Sequence, residues 1–247
     1  TGRAALAEKL DQLFETTLET DTVGANQGIH ERREAQEVKM GEYGHSNQPS
    51  HHIPYMYLYA GRPDRTQEKV RQVLRQCYVG SRIGQGYIGD EDNGEMSAWF
   101  IFSAMGFYPL NMGNGELVFG SPLFKKITLH HENGHDLIIE APNNSSTNIY
   151  VGGLTINGTP YSKTSIKQTD LTDRLKTQDV VLHFDMQATP GAWGMGENDV
   201  PDSLTKGDET PDPLRDRTNS AAVVAKEVPT TLSSGDSIYC ADGENLK

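Results

Sequence analysis

Apolar residues recur at helical spacing through the first hundred residues. One helical face carries, at positions i, i+4, i+7 and i+8, the residues Leu6, Leu10, Leu13 and Phe14. A second helix is predicted at 51–59, followed by glycine and proline. A third is predicted from about Asp64, where Gln67 stands at capping-box spacing, and a fourth begins after residue 94. The last has apolar residues around most of its circumference, which predicts burial on all sides. We therefore expect a helical region over residues 3–106.

The pattern changes to that of β-strands beyond residue 116. Four runs of β-branched and aromatic residues, separated by Asn-Gly and similar turns, lie at 126–129, 137–140, 148–151 and 180–184. Beyond Trp193 the chain is mostly polar, and such a segment buries too little apolar surface to offset the entropy lost on ordering. The sequence thus predicts three regions: a helical segment, an antiparallel β segment and a disordered acidic tail, at 1–115, 116–195 and 196–247.

The composition limits the classes of function. The 247 residues carry a net charge of −12, which would repel nucleic-acid phosphates, whereas clustered acids can hold cations. No run of about eighteen apolar residues occurs, so no membrane-spanning helix is predicted. Cys77 and Cys240 are too few for a disulfide framework or a zinc cage.

The sequence gives two indications of cellular location. The first residues lack the apolar core of a signal peptide, which predicts either a cytosolic chain or one whose leader has been lost. Three N-x-S/T sequons, beginning at Asn143, Asn144 and Asn157, are typical of a secreted glycoprotein. Such triplets also arise by chance in turns rich in Asn, Ser and Thr, so both interpretations stay open.

The strongest candidate for chemistry is an acidic loop, which we define as residues 87–94. It carries Asp90, Glu91 and Asp92 between two glycines, which let the backbone turn sharply and approach a ligand. A single acid before a helix is often only a cap. Three acids bracketed by glycines indicate a ligand-binding or catalytic role about as strongly as a structural one.

A second candidate is the histidine segment, which we define as residues 45–52. Its three histidines are His45, His51 and His52. They suggest zinc, but adjacent histidines on a helix point about 100° apart, and no thiol or helical partner completes a tetrahedral site. Asn47 and Gln48 offer amide oxygens, which suit calcium. The alternative is structural: Asn47 or Ser50 caps the next helix, and the histidines pack in a core.

These two segments resemble those of the glycoside hydrolase family 92 α-mannosidases. The resemblance covers residues 45–61, 89–99, 102–109 and 120–124. It implies a calcium-dependent, inverting exo-enzyme in which an N-terminal β-sandwich packs on an (α/α)6 toroid. For this chain it implies a mixed α and β fold: the C-terminal part of the toroid, followed by antiparallel strands.

The resemblance also assigns residues to roles. An inverting glycosidase needs two carboxyl groups about 6.5–9.5 Å apart, so that a water molecule fits beside the sugar. Asp92 matches the water-activating base, and Asp90 is a helper or an alternative base. The residues expected to contact substrate are His51, His52 and Glu91. Those expected to bind Ca²⁺ near the mannose O2 and O3 are Asn47 and Gln48.

Two departures from the family limit this expectation. Many relatives carry glutamate where this chain has Gln48, and an amide oxygen brings less charge to calcium. The family's general acid is a glutamate in an upstream motif that no stretch of this chain matches, and the β-sandwich is also missing. We therefore expect a truncated, secreted or vacuolar α-mannosidase, acting on α-1,2-linked mannose in N-glycans with its missing domains as partners, and inactive by itself.

Two other classes of function remain open at the level of sequence. One is a non-catalytic calcium- or carbohydrate-binding module, which the acidic loop and the β segment would permit. The other is a metallohydrolase that uses the three histidines, which the geometric argument above disfavours.

Overall fold

The computed structural model describes residues 2–16, 30–78, 80, 86–203, 238–239 and 245–246. The chain divides into two compact units, 1–201 and 202–247. The helices of the first unit are α1 (Arg3–Glu15), α2 (His30–Val38), α3 (Pro63–Gln76), α4 (Glu95–Met105) and, among the strands, α5 (Gln168–Leu175). Among the described helices, none combines the length and the apolar character needed to cross a membrane.

The predicted helix at 51–59 is wrong in type, since Ile53–Leu58 is a 3-10 helix. Its burial explains why: positions 53, 56 and 59 are partly exposed, and the pairs between them are buried. A period of three fits the three residues per turn of a 3-10 helix better than the 3.6 of an α-helix. Helices α2 and α5 were not predicted.

Two finer predictions about the helices are also wrong. Gln67 does not cap α3; its Oε1 accepts the backbone N–H of Val151 at 3.0 Å, and both residues are buried. Helix α4 is not buried on all sides, because Ile101 is 54% exposed whereas Met96 and Trp99 are fully buried. Some apolar side chains of α4 are therefore not covered by the described residues.

The strands form two sheets in the first unit. They are β1 (Phe107–Asn111), β2 (Glu116–Phe119), β3 (Lys126–His130), β4 (Asp136–Glu140), β5 (Tyr150–Ile156), β6 (Thr159–Pro160), β7 (Ser165–Lys167) and β8 (Val180–Gln187). The strand orders are β1-β2-β7 and β3-β4-β8-β5-β6. The four predicted runs coincide with β3, β4, the start of β5 and β8, whereas β1, β2, β6 and β7 were not predicted.

The prediction of an antiparallel sheet is confirmed for most strand pairs and wrong for one. β4 and β8 run parallel, with Leu137 opposite Val180. The long connection between them carries three strands and α5, so the chain can return in the same direction. A hairpin could not make this pairing, and strand patterns alone do not reveal it.

The three-stranded sheet contributes to two apolar cores. Side chains alternate between the two faces of a strand. Phe107, Leu117 and Phe119 join the core of the β segment, and Tyr108 and Val118 join that of the helical segment. Strands β1 and β2 thereby connect the helices that carry the candidate site to the larger sheet.

The second unit shows one antiparallel pair, β9 (Ile238–Tyr239) with β10 (Asn245–Leu246). Most of the predicted disordered tail, and Cys240, lie outside the described residues.

Candidate active site

The acidic loop and the histidine segment lie in direct contact, although about forty residues separate them in sequence. The side-chain Nε2 of Gln48 donates to the backbone carbonyl of Asp90 at 3.1 Å. Gly89 has φ +70°, and a Cβ atom there would lie 2.5 Å from the Cβ of Ser46. Only glycine permits this approach without displacing one of the two segments. The structure thus brings both predicted motifs into one site.

The turn before α4 exposes the two aspartates. Asp92 and Asn93 have φ +49° and +57°, and Gly94 follows at +97°. For non-glycine residues this left-handed region costs roughly 1–2 kcal/mol, and such strain is often found at functional sites. The Asp92 carbonyl accepts the N–H of Glu95 at 3.2 Å, which ties the turn to the helix, while the side chains of Asp90 and Asp92 are exposed.

Glu91 serves the helix as well as the loop. Its Oε1 accepts the backbone N–H of Ser97, in the first turn of α4, at 3.2 Å. Hydrogen bonds from Tyr87 first, and then from Ser97, hold the pKa of the Glu91 carboxyl below its usual value. A carboxylate at this position also favours the positive end of the helix dipole. The geometry therefore gives Glu91 a capping role, beside the substrate contact predicted from the resemblance.

His45 is held in one tautomer by two tyrosines. The Tyr78 hydroxyl donates its hydrogen to the carbonyl of Met96, so it must accept from His45 Nε2–H at 2.8 Å. His45 Nδ1 is then the acceptor for the Tyr43 hydroxyl, also at 2.8 Å. Burial lowers the pKa of His45 well below its usual value, and the ring is neutral. Both nitrogens are already used, so this ring would bind a metal only by losing a hydrogen bond.

His51 faces α4 with one unpaired nitrogen. Its Nε2 lies 3.0 Å from the His45 carbonyl and must be the donor there. Its Nδ1 is shielded from solvent, has no hydrogen bond and lies 3.6 Å from Oε1 of Glu95. Trp99 fixes the backbone by donating from Nε1 to the His51 carbonyl at 3.1 Å. His52, the neighbouring predicted substrate contact, is exposed.

The donors near this loop suit a hard cation rather than zinc. Gln48 uses its amide nitrogen toward Asp90, which leaves its oxygen for another partner, and Asn47 is exposed beside it. The hydroxyl of Ser46 is buried without a hydrogen bond. Among the described residues no three His, Cys, Asp or Glu side chains converge on a metal position. Amide and hydroxyl oxygens are ligands that Ca²⁺ accepts, so the residues present fit calcium in donor type.

Several residues of the site were missed from the sequence. They include Tyr43 and Tyr78, which fix His45, and Ser97, which binds Glu91. Only Ser97 carried a local signal, since its N–H belongs to the first helical turn, where free N–H groups need acceptors. Tyr43 stands two residues before His45, and Tyr78 stands 33 residues after it, but neither position carries a local pattern that marks it as a partner of the ring.

An apolar groove of about 500 Å³ lies beside the loop. Its lining residues are Tyr78, Gly80, Gly86, Tyr87, Ser97, Phe100 and Ile101. Three of the seven lining residues are aromatic, and one of them, Tyr87, is hydrogen-bonded to Glu91. The groove therefore borders the acidic loop without including Asp90 or Asp92.

The site thus combines exposed acids on a strained loop with a segment of amide and imidazole groups, and comparisons with known proteins identify the family. The model of the glycosyl hydrolase family 92 catalytic domain matches residues 1–188. The chain belongs to glycosyl hydrolase family 92.

Solved structures of family members are similar in fold. A family 92 α-mannosidase from Bacteroides thetaiotaomicron is 30% identical, with a TM-score of 0.72 over 85% of this chain. The same enzyme in complex with mannoimidazole is 32% identical over 83% of the chain, with a TM-score of 0.71. An inverting family 92 mannosidase from Bacteroides thetaiotaomicron VPI-5482 is 36% identical over 81%, with a TM-score of 0.64.

The chain spans only part of each relative. It covers 26%, 25% and 26% of the three solved chains. An uncharacterized secreted glycosidase of Arthroderma benhamiae is 28% identical over 167 residues, which are 65% of this chain and 20% of that protein. The resemblance seen in the sequence is thereby confirmed at the level of the family.

Proposed function

We propose that this chain carries the water-activating half of an α-mannosidase that removes terminal α-linked mannose with inversion. The contact between the acidic loop and the histidine segment carries the proposal, because it sets exposed Asp90 and Asp92 beside polar groups that can hold a sugar. Family membership and the inverting mannosidase among the solved relatives support the reaction class.

In this mechanism Asp92 is the general base. Its carboxylate accepts a proton from a water molecule as the water oxygen bonds to the anomeric carbon, on the face opposite the leaving group. The bond between that carbon and the glycosidic oxygen breaks, and a general acid gives the leaving oxygen a proton. Asp90 is exposed two residues away and assists in positioning the water. The general acid comes from sequence outside the segments that resemble the family.

The same proposal includes calcium. Asn47 and Gln48 would hold the ion through their amide oxygens. The bound ion would coordinate two mannose hydroxyls, which would favour a distorted sugar ring. His51, His52 and Glu91 would contact the sugar from the two segments. Of these, Glu91 is also bound to α4 through the N–H of Ser97, and His51 through its carbonyl, which accepts from Trp99.

Several wider features belong to the proposal. The helical region, 1–115, would complete an (α/α)6 toroid, with 116–195 as the β segment and 196–247 as a polar tail. The natural substrates would be α-1,2-linked mannoses of N-glycans. Secretion is supported by the relative named as a secreted glycosidase. The partners would be a β-sandwich and further toroid helices of the same protein.

The purified chain should be inactive alone, because it supplies a base without its acid. Release of mannose from an α-1,2-mannobiose by this chain, dependent on added Ca²⁺, would contradict that expectation. The measurement is mannose formed per hour, with EDTA-treated chain as the blank.

The base is tested by Asp92→Asn in the full-length enzyme. An amide cannot accept the proton, so kcat should fall by about 10²- to 10⁴-fold, while KM changes little. Asp90→Asn should have a smaller effect. The matched control is Asp173→Asn, which removes an exposed acid whose partner among the described residues is Lys176 at 2.6 Å, and it should leave kcat unchanged. If Asp92→Asn retains full kcat, Asp92 is not the base.

If the wild-type enzyme binds mannosides without hydrolysing them, the chain is a binding module instead.

A further inference from the structure

The chain has three sequons, of which those of Asn143 and Asn144 overlap and that of Asn157 is separate. We infer that, of these three asparagines, only Asn143 is a site of N-glycosylation. The inference rests on the proposed secretion. It concerns which asparagine side chain can carry a sugar in the folded protein. The three side chains differ in burial and in hydrogen bonding, and those differences decide between them.

Asn143 has an exposed side chain. Only its backbone carbonyl is engaged, as the acceptor for Nδ2 of Asn148 at 3.0 Å. Within the part of the chain that the structure describes, nothing bonds its side-chain amide. Ser145, the hydroxyl residue of this sequon, is also exposed and shapes the turn by accepting the N–H of Asn148 at 2.9 Å. A sugar on Asn143 would therefore project into solvent without breaking a contact.

Asn144 is the opposite case. It is 5% exposed. Its Oδ1 accepts from Arg71 at 2.7 Å, and its Nδ2 donates to the carbonyl of Leu123 at 2.6 Å. A sugar on Nδ2 would have to occupy space that the protein fills. Modification of Asn144 is thus incompatible with the fold.

Asn157 is exposed, but both ends of its amide are bound. Its Oδ1 accepts the N–H of Val181 at 2.6 Å, and its Nδ2 donates to the carbonyl of Asp179 at 3.0 Å. These bonds hold the Asn157-Gly158 turn against the start of β8. A sugar on Nδ2 would crowd the Asp179 carbonyl and weaken that attachment, so Asn157 stays unmodified in the folded protein.

The reaction is a glycosyl transfer from a lipid-linked diphospho-oligosaccharide, the donor used in the secretory pathway. A bond forms between Nδ2 of Asn143 and the anomeric carbon of the donor. The bond between that carbon and the diphosphate oxygen breaks, the lipid diphosphate leaves, and the amide loses one proton. The modified amide keeps one N–H and its carbonyl, and it adds no charge.

The experiment secretes the full chain from a eukaryotic host behind a cleavable signal peptide and reads its mass before and after endoglycosidase digestion. Each of three variants removes one sequon by a conservative substitution. N143Q changes the unbonded amide, S146A removes the sequon of Asn144 without touching its buried side chain, and T159A removes that of Asn157. Because the readout is mass, the result is independent of mannosidase activity and of the natural signal peptide.

The wild-type chain should carry one oligosaccharide, N143Q should carry none, and S146A and T159A should match the wild type. The same masses are read on the folded, protease-resistant fraction within the cells, so that a variant that is poorly exported still gives a result. A glycan that persists in N143Q, a glycan lost in S146A or T159A, or an unmodified wild-type chain would each overturn the assignment.

Discussion

Gly89 is the point at which the acidic loop and the histidine segment come closest. Its φ of +70° costs a non-glycine residue roughly 1–2 kcal/mol, and a Cβ atom would lie 2.5 Å from that of Ser46. Gly134 provides a comparison, because it has φ +85° and no atom lies within 4 Å of a Cβ placed there. The two positions share the backbone penalty and differ in the steric clash.

We predict that Gly89→Ala destabilises the chain more than Gly134→Ala does. The difference in the free energy of unfolding should be about 1–3 kcal/mol, the usual cost of overpacking. Chemical denaturation of the two variants measures it. In the full-length enzyme Gly89→Ala should also lower kcat, because the loop must move away from Ser46. An equal loss of unfolding free energy in both variants would show that the close approach of Gly89 to Ser46 does not affect stability.

Helix α3 shows at the level of elements how one side chain can complete a sheet. The backbone N–H of Val151, in β5, has Oε1 of Gln67 as its acceptor at 3.0 Å, and both residues are nearly inaccessible to solvent. An unpaired buried N–H group costs about 1–3 kcal/mol. Gln67→Leu should therefore reduce the free energy of unfolding by an amount in that range.

The control for this prediction lies on the same helix. Gln72 bonds Gln76 at the surface, 3.3 Å away, so Gln72→Leu should change stability by less than about 0.5 kcal/mol. Denaturation curves of both variants suffice. A Gln67→Leu protein as stable as the wild type would mean that water replaces the lost acceptor.

The elements also show how far the sequence could predict this fold and site. The periodicity of α1 and the β-branched runs of β3, β4 and β8 predicted those elements, because there the buried face decides both the pattern and the structure. Gln67 was misread as a cap because its partner, Val151, is 84 residues away. The acidic loop was predicted as a site from local chemistry, but its contact with Ser46 and Gln48 depends on tertiary structure. Strand direction, as in β4 and β8, likewise follows from the path of the chain.

At the scale of the whole first unit, the two apolar cores must keep their positions relative to each other for the site to keep its shape. The sheet β1-β2-β7 provides one connection, since its strands contribute side chains to both cores. Arg71 of α3 provides a polar one. Its guanidinium donates to the carbonyl of Pro122 at 2.6 Å, to Oδ1 of Asn144 at 2.7 Å and to the carbonyl of Ser145 at 2.9 Å. One buried side chain thereby fastens the helical segment to the loops between β2 and β3 and between β4 and β5.

Arg71 makes this connection without a carboxylate partner among its described hydrogen bonds. Burial lowers its pKa to about 10, so it remains charged at neutral pH. Arg71→Met keeps most of the apolar volume but leaves three acceptors without their donor. We predict a loss of about 3 kcal/mol in the free energy of unfolding, since the acceptors on Pro122 and Asn144 are buried and each adds to the cost when it is left unpaired. Arg71→Lys should lose less, because an ammonium group keeps the charge but cannot reach all three acceptors in the geometry of a guanidinium fork.

Arg75→Met is the matched control, one turn further along α3. Arg75 is exposed and donates to the carbonyl of Ser146 at 3.3 Å, so its loss should change stability by less than about 0.5 kcal/mol. Urea denaturation of the three variants ranks them. If the two methionine variants prove equally stable, Arg71 adds nothing to the connection that the sheet and the bond between Gln67 and Val151 already make. If Arg71→Met unfolds at much lower urea, the attachment of the helical segment to the β segment depends on Arg71 in addition to the bond between Gln67 and Val151.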